Sequence, residues 1–187
     1  AAESCCAVQG VVQFVSCHAQ LASRTIFALN CNWNVAMEAN TEVYHVRSIH
    51  PKTVAPILDD RRNVNTLYEN GHGRMIAPVP EGKRSLESVD VSPDMAQIET
   101  AGEIARTCTQ SYGLFPNWVS PLSQYAIPPI LFWPNGINKC RIETWTMAPA
   151  WEEGMKAALW TGNEPGLIQI QRRRRTTRGR DRAAAEA

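Results

Sequence analysis

The sequence is short of the residues that build most metal clusters. It has four histidines, and its six cysteines (Cys5, Cys6, Cys17, Cys31, Cys108 and Cys140) never form a Cys-x-x-Cys pair. That argues against a zinc ribbon and against a paired-cysteine redox motif. A chain of 187 residues can build a core without disulfide staples, so reduced thiols are expected. Cys17-His18 stands alone, with no second Cys-x-x-His to complete it. There is no His-Glu-x-x-His, the commonest signature of a zinc hydrolase. No apolar run approaches the length of a membrane span, and no basic-then-apolar leader opens the sequence. A cytoplasmic protein without membrane contact is therefore expected.

What is present fits an ordinary globular chain. Hydrophobic residues make up 44% and charged residues 20%, enough for one core. The net charge of +1 is unevenly spread. Residues 172–187 carry seven arginines against Asp181 and Glu186, a net +5, which leaves residues 1–171 at −4. This tail has no apolar pattern and no interleaved aromatics, so it reads as a disordered, solvated segment rather than a nucleic-acid site.

Three stretches carry the structural signal. Asn32 can cap a helix starting at Trp33 and running to about His45, with Glu38, Glu42 and His45 along one side. Asp94 to Ser111 reads as a second helix, with Met95, Ile98, Ala101, Ile104 and Ala105 near one stripe. Ile127–Trp133 and Cys140–Met147 flank Pro134-Asn135-Gly136 and read as an antiparallel hairpin, with Ile142, Thr144 and Thr146 on one face and Arg141, Glu143 and Trp145 on the other. Met75–Val79 and Ile26–Leu29 read as short strands, and Trp151–Trp160 as helical. The predicted class is α+β, an antiparallel sheet flanked by helices in a helix-grip arrangement.

The chemistry centres on His45 and His50. Two neutral imidazoles and one carboxylate can hold Fe(II) on one triangular face and leave the opposite positions to dioxygen and substrate. Spacing alone is weak support, because a helix-end histidine followed by a loop histidine is a common arrangement. On a straight helix the two would point about 140° apart. Pro51 disfavours helical geometry at His50, so the chain must bend near His45 for both rings to converge.

The surrounding residues sharpen this. Asn32-Trp33-Asn34-Val35-Ala36-Met37-Glu38, then Glu42-Val43-Tyr44-His45 and His50-Pro51, resembles the iron-binding segment of the Rieske-type aromatic-ring-hydroxylating oxygenases, in their large α subunit. The resemblance continues through Leu114-Phe115-Pro116-Asn117, Ile130-Leu131-Phe132-Trp133-Pro134 with Gly136, and Cys140-Arg141 leading to Trp145. It implies a mononuclear Fe(II) held by His45 and His50. It implies that Glu42 is the carboxylate bridging electron transfer from a neighbouring subunit's iron–sulfur domain. It also implies an aromatic or other hydrophobic substrate with O2, a ferredoxin or reductase, and a homotrimer or α3β3 assembly. An apolar pocket would be walled by residues such as Met37, Phe115 and Phe132.

The sequence departs from the family pattern in three ways. The Cys-x-His and Cys-x-x-His pairs that hold a [2Fe–2S] cluster do not occur, so the family's second cofactor is implied but not encoded here. Residues 1–30 read as an atypical N-terminal segment, 31–171 as a partial, truncated iron domain, and 172–187 as the basic tail. Position 39 is Ala where the family has Asn, and Asn40 comes one residue late. The third iron ligand has no aspartate to supply it near the C-terminal end, where Glu164 is the candidate beside Pro165 and Gly166. Enzymatic activity therefore stays open. The alternative is a non-catalytic module of the same shape, binding a hydrophobic ligand or partner chain without competent iron.

Overall fold

The computed structural model describes residues 20–52, 54–80, 98, 102–122, 124 and 127–148. Among them are strands β1 (Gln20–Leu29), β2 (Val64–Leu67), β3 (Gly73–Pro78), β4 (Cys108–Leu114), β5 (Trp118–Leu122), β6 (Ile130–Pro134) and β7 (Cys140–Ala148). They form one antiparallel sheet of seven strands in the order β1-β7-β6-β5-β4-β3-β2. Three short helices accompany it: α1 (Trp33–Glu38), α2 (Val46–Ile49) and α3 (Glu103–Thr107). The α+β class with an antiparallel sheet is as expected from the sequence. Among the described residues, no helix is long and apolar enough to cross a membrane.

The predicted hairpin is β6–β7, paired from Ile130↔Thr144 to Pro134↔Cys140. Gly136 turns it at φ +115, a backbone region that side-chain-bearing residues avoid. Alternation along β7 buries Ile142, Thr144 and Thr146 and leaves Arg141 exposed. Glu143, on the outward face, is also buried. Its Oε1 accepts from Trp145 Nε1 at 2.8 Å and from Arg24 Nε at 2.5 Å. The Arg24 guanidinium also lies 5.7 Å from the Trp145 ring centroid. The Trp145 hydrogen bond first, then Arg24, holds the Glu143 carboxyl below its ordinary range.

β1 is longer than the predicted Ile26–Leu29 and pairs with β7 from Gln20↔Ala148 to Leu29↔Cys140. This pairing joins residues 20–29 to the same sheet as the rest. The predicted helix over Asp94 to Ser111 is not what forms at its C-terminal end. Helix α3 ends at Thr107, and Cys108–Leu114 is a strand. Strands β3 and β5 flank that stretch on both sides and supply its backbone hydrogen bonds, which outweighs a helical apolar stripe. The earlier part of that predicted helix, apart from Ile98, lies outside the described residues, as do Trp151–Trp160, Glu164 and the 172–187 tail.

Two apolar clusters hold the functional segment on one face of the sheet. In the first, Ala36 and Met37 of α1 pack with Val119, Ile130, Phe132, Cys140 and Ile142. Phe27, Leu29, Cys31 and Trp33 line its edge. In the second, Val43 and Val46 pack with Leu58, Met75 and Ala77. The opposite face has its own cluster of Ile98, Ala105, Tyr112, Leu122 and Ile127.

Candidate metal centre

The segment from Asn32 to His50 is not one helix. Asn32 caps α1 as expected, its Oδ1 accepting from Asn34 N at 2.9 Å. The helix then stops at Glu38 instead of running on to His45. Polar side chains end it. Asn40 donates its side-chain amide to Ala36 O at 2.7 Å, and the Thr41 hydroxyl donates to Glu38 O at 2.9 Å. Both take carbonyls from the last turn of the helix, which favours a stop. The turn is docked on β4, where the Ser111 hydroxyl donates to Asn40 O at 3.0 Å. Gly113 makes room beside it, since a Cβ there would come within 3.1 Å of Thr41 Cγ2.

The chain resumes as a single turn, α2, with His45 at its N-cap and His50 at its C-cap. Because the two histidines flank the turn instead of sitting within it, the divergence expected on a straight helix does not apply. His50 has φ −124 and ψ 44, outside the helical region, as Pro51 after it favours. The ring centroids lie 5.2 Å apart, edge to face at 78°. Two imidazoles bound cis to one metal ion, each at about 2.1 Å through nitrogen, place their centroids roughly 4.5–5.5 Å apart. The observed separation falls within that range.

Glu42 completes a buried-to-exposed gradient across the site. His50 is 4% exposed, while the side chains of Glu42 and His45 are partly open. Glu42 Oε1 contacts His45 Nδ1, and Oε2 accepts from the backbone N–H of Tyr44 at 2.5 Å and of His45 at 3.4 Å. An ionised carboxylate only accepts, so the His45 Nδ1 proton is the donor and, in the neutral ring, the lone pair sits on Nε2. That is the outer-carboxylate arrangement that orients a ligating histidine. Glu42, His45 and His50 are thus brought together. Glu164 lies outside the described residues, and among those described no three His, Cys, Asp or Glu side chains group as a metal site.

The segment is seated on the sheet by Val43, 1% exposed, and Val46, against Met75 and Ala77 of β3. On its outer side Arg47 donates from Nε to Asp60 Oδ2 at 2.5 Å and from Nη2 to Oδ1 at 2.6 Å. This pair is exposed and adds little. Of the expected apolar pocket residues, Met37 and Phe132 sit together in the core under α1. Phe115 does not join them. It is 57% exposed in the β4–β5 turn, against Gly71, with its N–H donating to His72 Nδ1 at 3.1 Å. The contributions of Ser111 and Gly113 had no sequence signal, because their contacts with Asn40 and Thr41 span residues some 70 apart.

The family profile described as the ring hydroxylating alpha subunit, catalytic domain, matches residues 12–173. The chain belongs to that family. No curated protein matches it by sequence. Among solved structures it resembles a quaternary ammonium Rieske monooxygenase from a study of carnitine oxidation by gut microbiota, at 15% identity and a TM-score of 0.56, over 87% of this chain and 37% of that one. It also resembles naphthalene 1,2-dioxygenase from Rhodococcus sp. bound to indole, at 19% identity and a TM-score of 0.56, over 82% of this chain and 42% of that one. The likeness is one of fold. The ring-hydroxylating α-subunit domain here spans well under half the length of either structure.

Proposed function

We propose that His45 and His50 are two ligands of a mononuclear Fe(II), and that the chain carries the iron site of an oxygenase that hydroxylates an aromatic or other hydrophobic substrate with O2. The observation that supports this most is the convergence of the two imidazoles at 5.2 Å within a segment of the family's domain. Bound iron would supply what side chains lack, one-electron exchange and the activation of dioxygen.

The chain's own residues prepare the site. Glu42 holds the His45 ring in one tautomer, with Nε2 as the donor nitrogen. Burial fixes the His50 ring. Val43 and Val46 fix the height of both above β3. Met37 and Phe132 pack the neighbouring core under α1 and hold the start of the segment in place. Glu164 is proposed as the third ligand, on sequence position alone. Electrons would arrive from an iron–sulfur cluster, supplied through a ferredoxin or reductase. Glu42, partly exposed beside His45, is the proposed point of arrival. A trimer or α3β3 assembly and a cytoplasmic location complete the proposal.

The test is anaerobic Fe(II) titration of the purified chain against a competing chelator. The expected result is one equivalent bound by the wild type, none by His45→Ala, and weakened binding by Glu164→Ala. Wild-type protein that takes up no stoichiometric iron would leave the non-catalytic, ligand-binding module as the reading. If His45→Ala abolishes binding while Glu164→Ala leaves it intact, Glu164 is not the third ligand.

A further inference from the structure

Apart from the histidines, the described residues bring two thiols together. Cys31 lies in the turn between β1 and α1, just before the capping Asn32, and Cys140 is the first residue of β7. Their Sγ atoms are 3.8 Å apart across 109 residues of sequence. We propose that Cys31 and Cys140 are an oxidisable dithiol that closes to a disulfide and fastens the start of α1 to β7.

The geometry favours closure. A disulfide needs its sulfurs at about 2.05 Å, so they must approach by less than the width of one atom. Cys31 sits in a turn, outside the ladder, where a side-chain rotation costs no strand hydrogen bond. Neighbouring contacts already bring the two segments together. Asn32 Nδ2 donates to Ile137 O at 2.9 Å, and β1 pairs Leu29 with Cys140 itself. Cys108 gives a contrast, since its sulfur contacts the Thr107 hydroxyl at 3.7 Å and, among the described residues, no thiol.

The chemistry assigns the two sulfurs different parts, with hydrogen peroxide as the oxidant. Cys31 is half-buried, whereas Cys140 is 1% exposed. Burial first, and then the neighbouring Cys31, pushes the Cys140 thiol up to about 12, so it keeps its proton at neutral pH. The Cys31 thiolate attacks the peroxide. An S–O bond forms, the O–O bond breaks, and the departing hydroxide takes up the proton that Cys31 gave to solvent and leaves as water. The Cys140 sulfur then attacks the Cys31 sulfenic sulfur. The S–S bond forms, the S–O bond breaks, and the Cys140 proton leaves with the second hydroxide as water. Two thiols are oxidised and one peroxide is reduced to two waters. With the second sulfur already in contact, oxidation stops at the disulfide and does not climb to sulfinic acid.

The product would close a long loop and pin α1 at its first turn, the element that leads into the histidine segment. A cross-link of this span is expected to raise the thermal midpoint by roughly 5–15 °C. It should also slow amide exchange across Trp33–Glu38, and a thiol reductant should reverse both effects.

The experiment is peroxide titration of the full chain, followed by alkylation, peptide mapping by mass spectrometry and thermal melts. The expected result is a linked Cys31–Cys140 peptide, a mass loss of two hydrogens, and a raised midpoint that dithiothreitol returns to its starting value. Cys31→Ser should fold, because the side chain is only half-buried, and should lose both the link and the shift. Cys108→Ser should keep both. A map showing Cys31 as sulfinic acid, or linked to a cysteine other than Cys140, overturns the proposal. So does a wild type whose midpoint does not respond to peroxide. The iron reading is not at stake in any of these outcomes, since none of them requires metal.

Discussion

Replacing Glu42 tests the site at its most informative point. Its carboxylate serves two roles at once, with Oε1 on the His45 ring and Oε2 on the backbone N–H groups of Tyr44 and His45. Glu42→Ala removes both. Loss of a carboxylate that orients a ligating histidine typically weakens metal binding about 10–100-fold, which is roughly 1.4–2.7 kcal/mol. The hydrogen bonds lost at this partly open position should cost about 1 kcal/mol of stability. Glu42→Gln keeps one acceptor oxygen. Either the ring or the backbone then faces an amide NH2, so its iron affinity should fall between the other two. Ile142→Ala is the control. It truncates a β7 side chain that is 1% exposed in the other apolar cluster, at about 3 kcal/mol of stability, away from the histidine segment. Fe(II) dissociation constants by chelator competition and thermal midpoints should therefore move in opposite order. Glu42→Ala should lose more affinity than stability, and Ile142→Ala more stability than affinity. Equal iron affinity in Glu42→Ala and wild type, both folded, would refute an orienting role for the carboxylate.

Two further perturbations probe the scaffold. Gly113→Ala should destabilise by about 1 kcal/mol through crowding, because its Cβ would meet Thr41 Cγ2 at 3.1 Å and the bond from the Thr41 hydroxyl to Glu38 O keeps that side chain from turning away. Thr41→Ser removes the methyl and retains the hydroxyl, so denaturant melts of the double variant should recover most of the loss. The Glu143 carboxyl is depressed from its ordinary 4.5 in the folded state. The stability it lends is therefore complete above that ordinary value and is lost as pH falls through the lower folded one. Urea midpoints of wild type should drop on acidification in that window more steeply than those of Glu143→Gln. Parallel pH profiles would show that the Arg24 and Trp145 contacts do not favour the ionised form.

What could be read locally was read well. Asn32 as a cap, the β6–β7 hairpin and its glycine turn depend on neighbours in sequence, and they stand where composition and spacing put them. Of the two helix errors, one arose where distant strands override local preference and the other where short-range side-chain bonds end a helix early. The stripe from Ile104 and Ala105 suggested a helix continuing to Ser111, yet two flanking strands claim Cys108–Leu114. The pattern of Glu38, Glu42 and His45 suggested one helix to His45, yet Asn40 and Thr41 terminate it at Glu38 and Ser111 holds the turn from across the sheet.

The sequence by itself determined which residues could bind a metal and which segment holds them. Histidine, glutamate and proline have their chemistry wherever they sit, and the flanking pattern marks the family. Only the tertiary structure decided that His45 and His50 meet. On a helix they diverge, and they converge only because they cap opposite ends of one turn that Val43 and Val46 press against β3. The tertiary structure alone brought Cys31 to Cys140, since a contact in space depends on how distant segments pack and not on the order of residues along the chain.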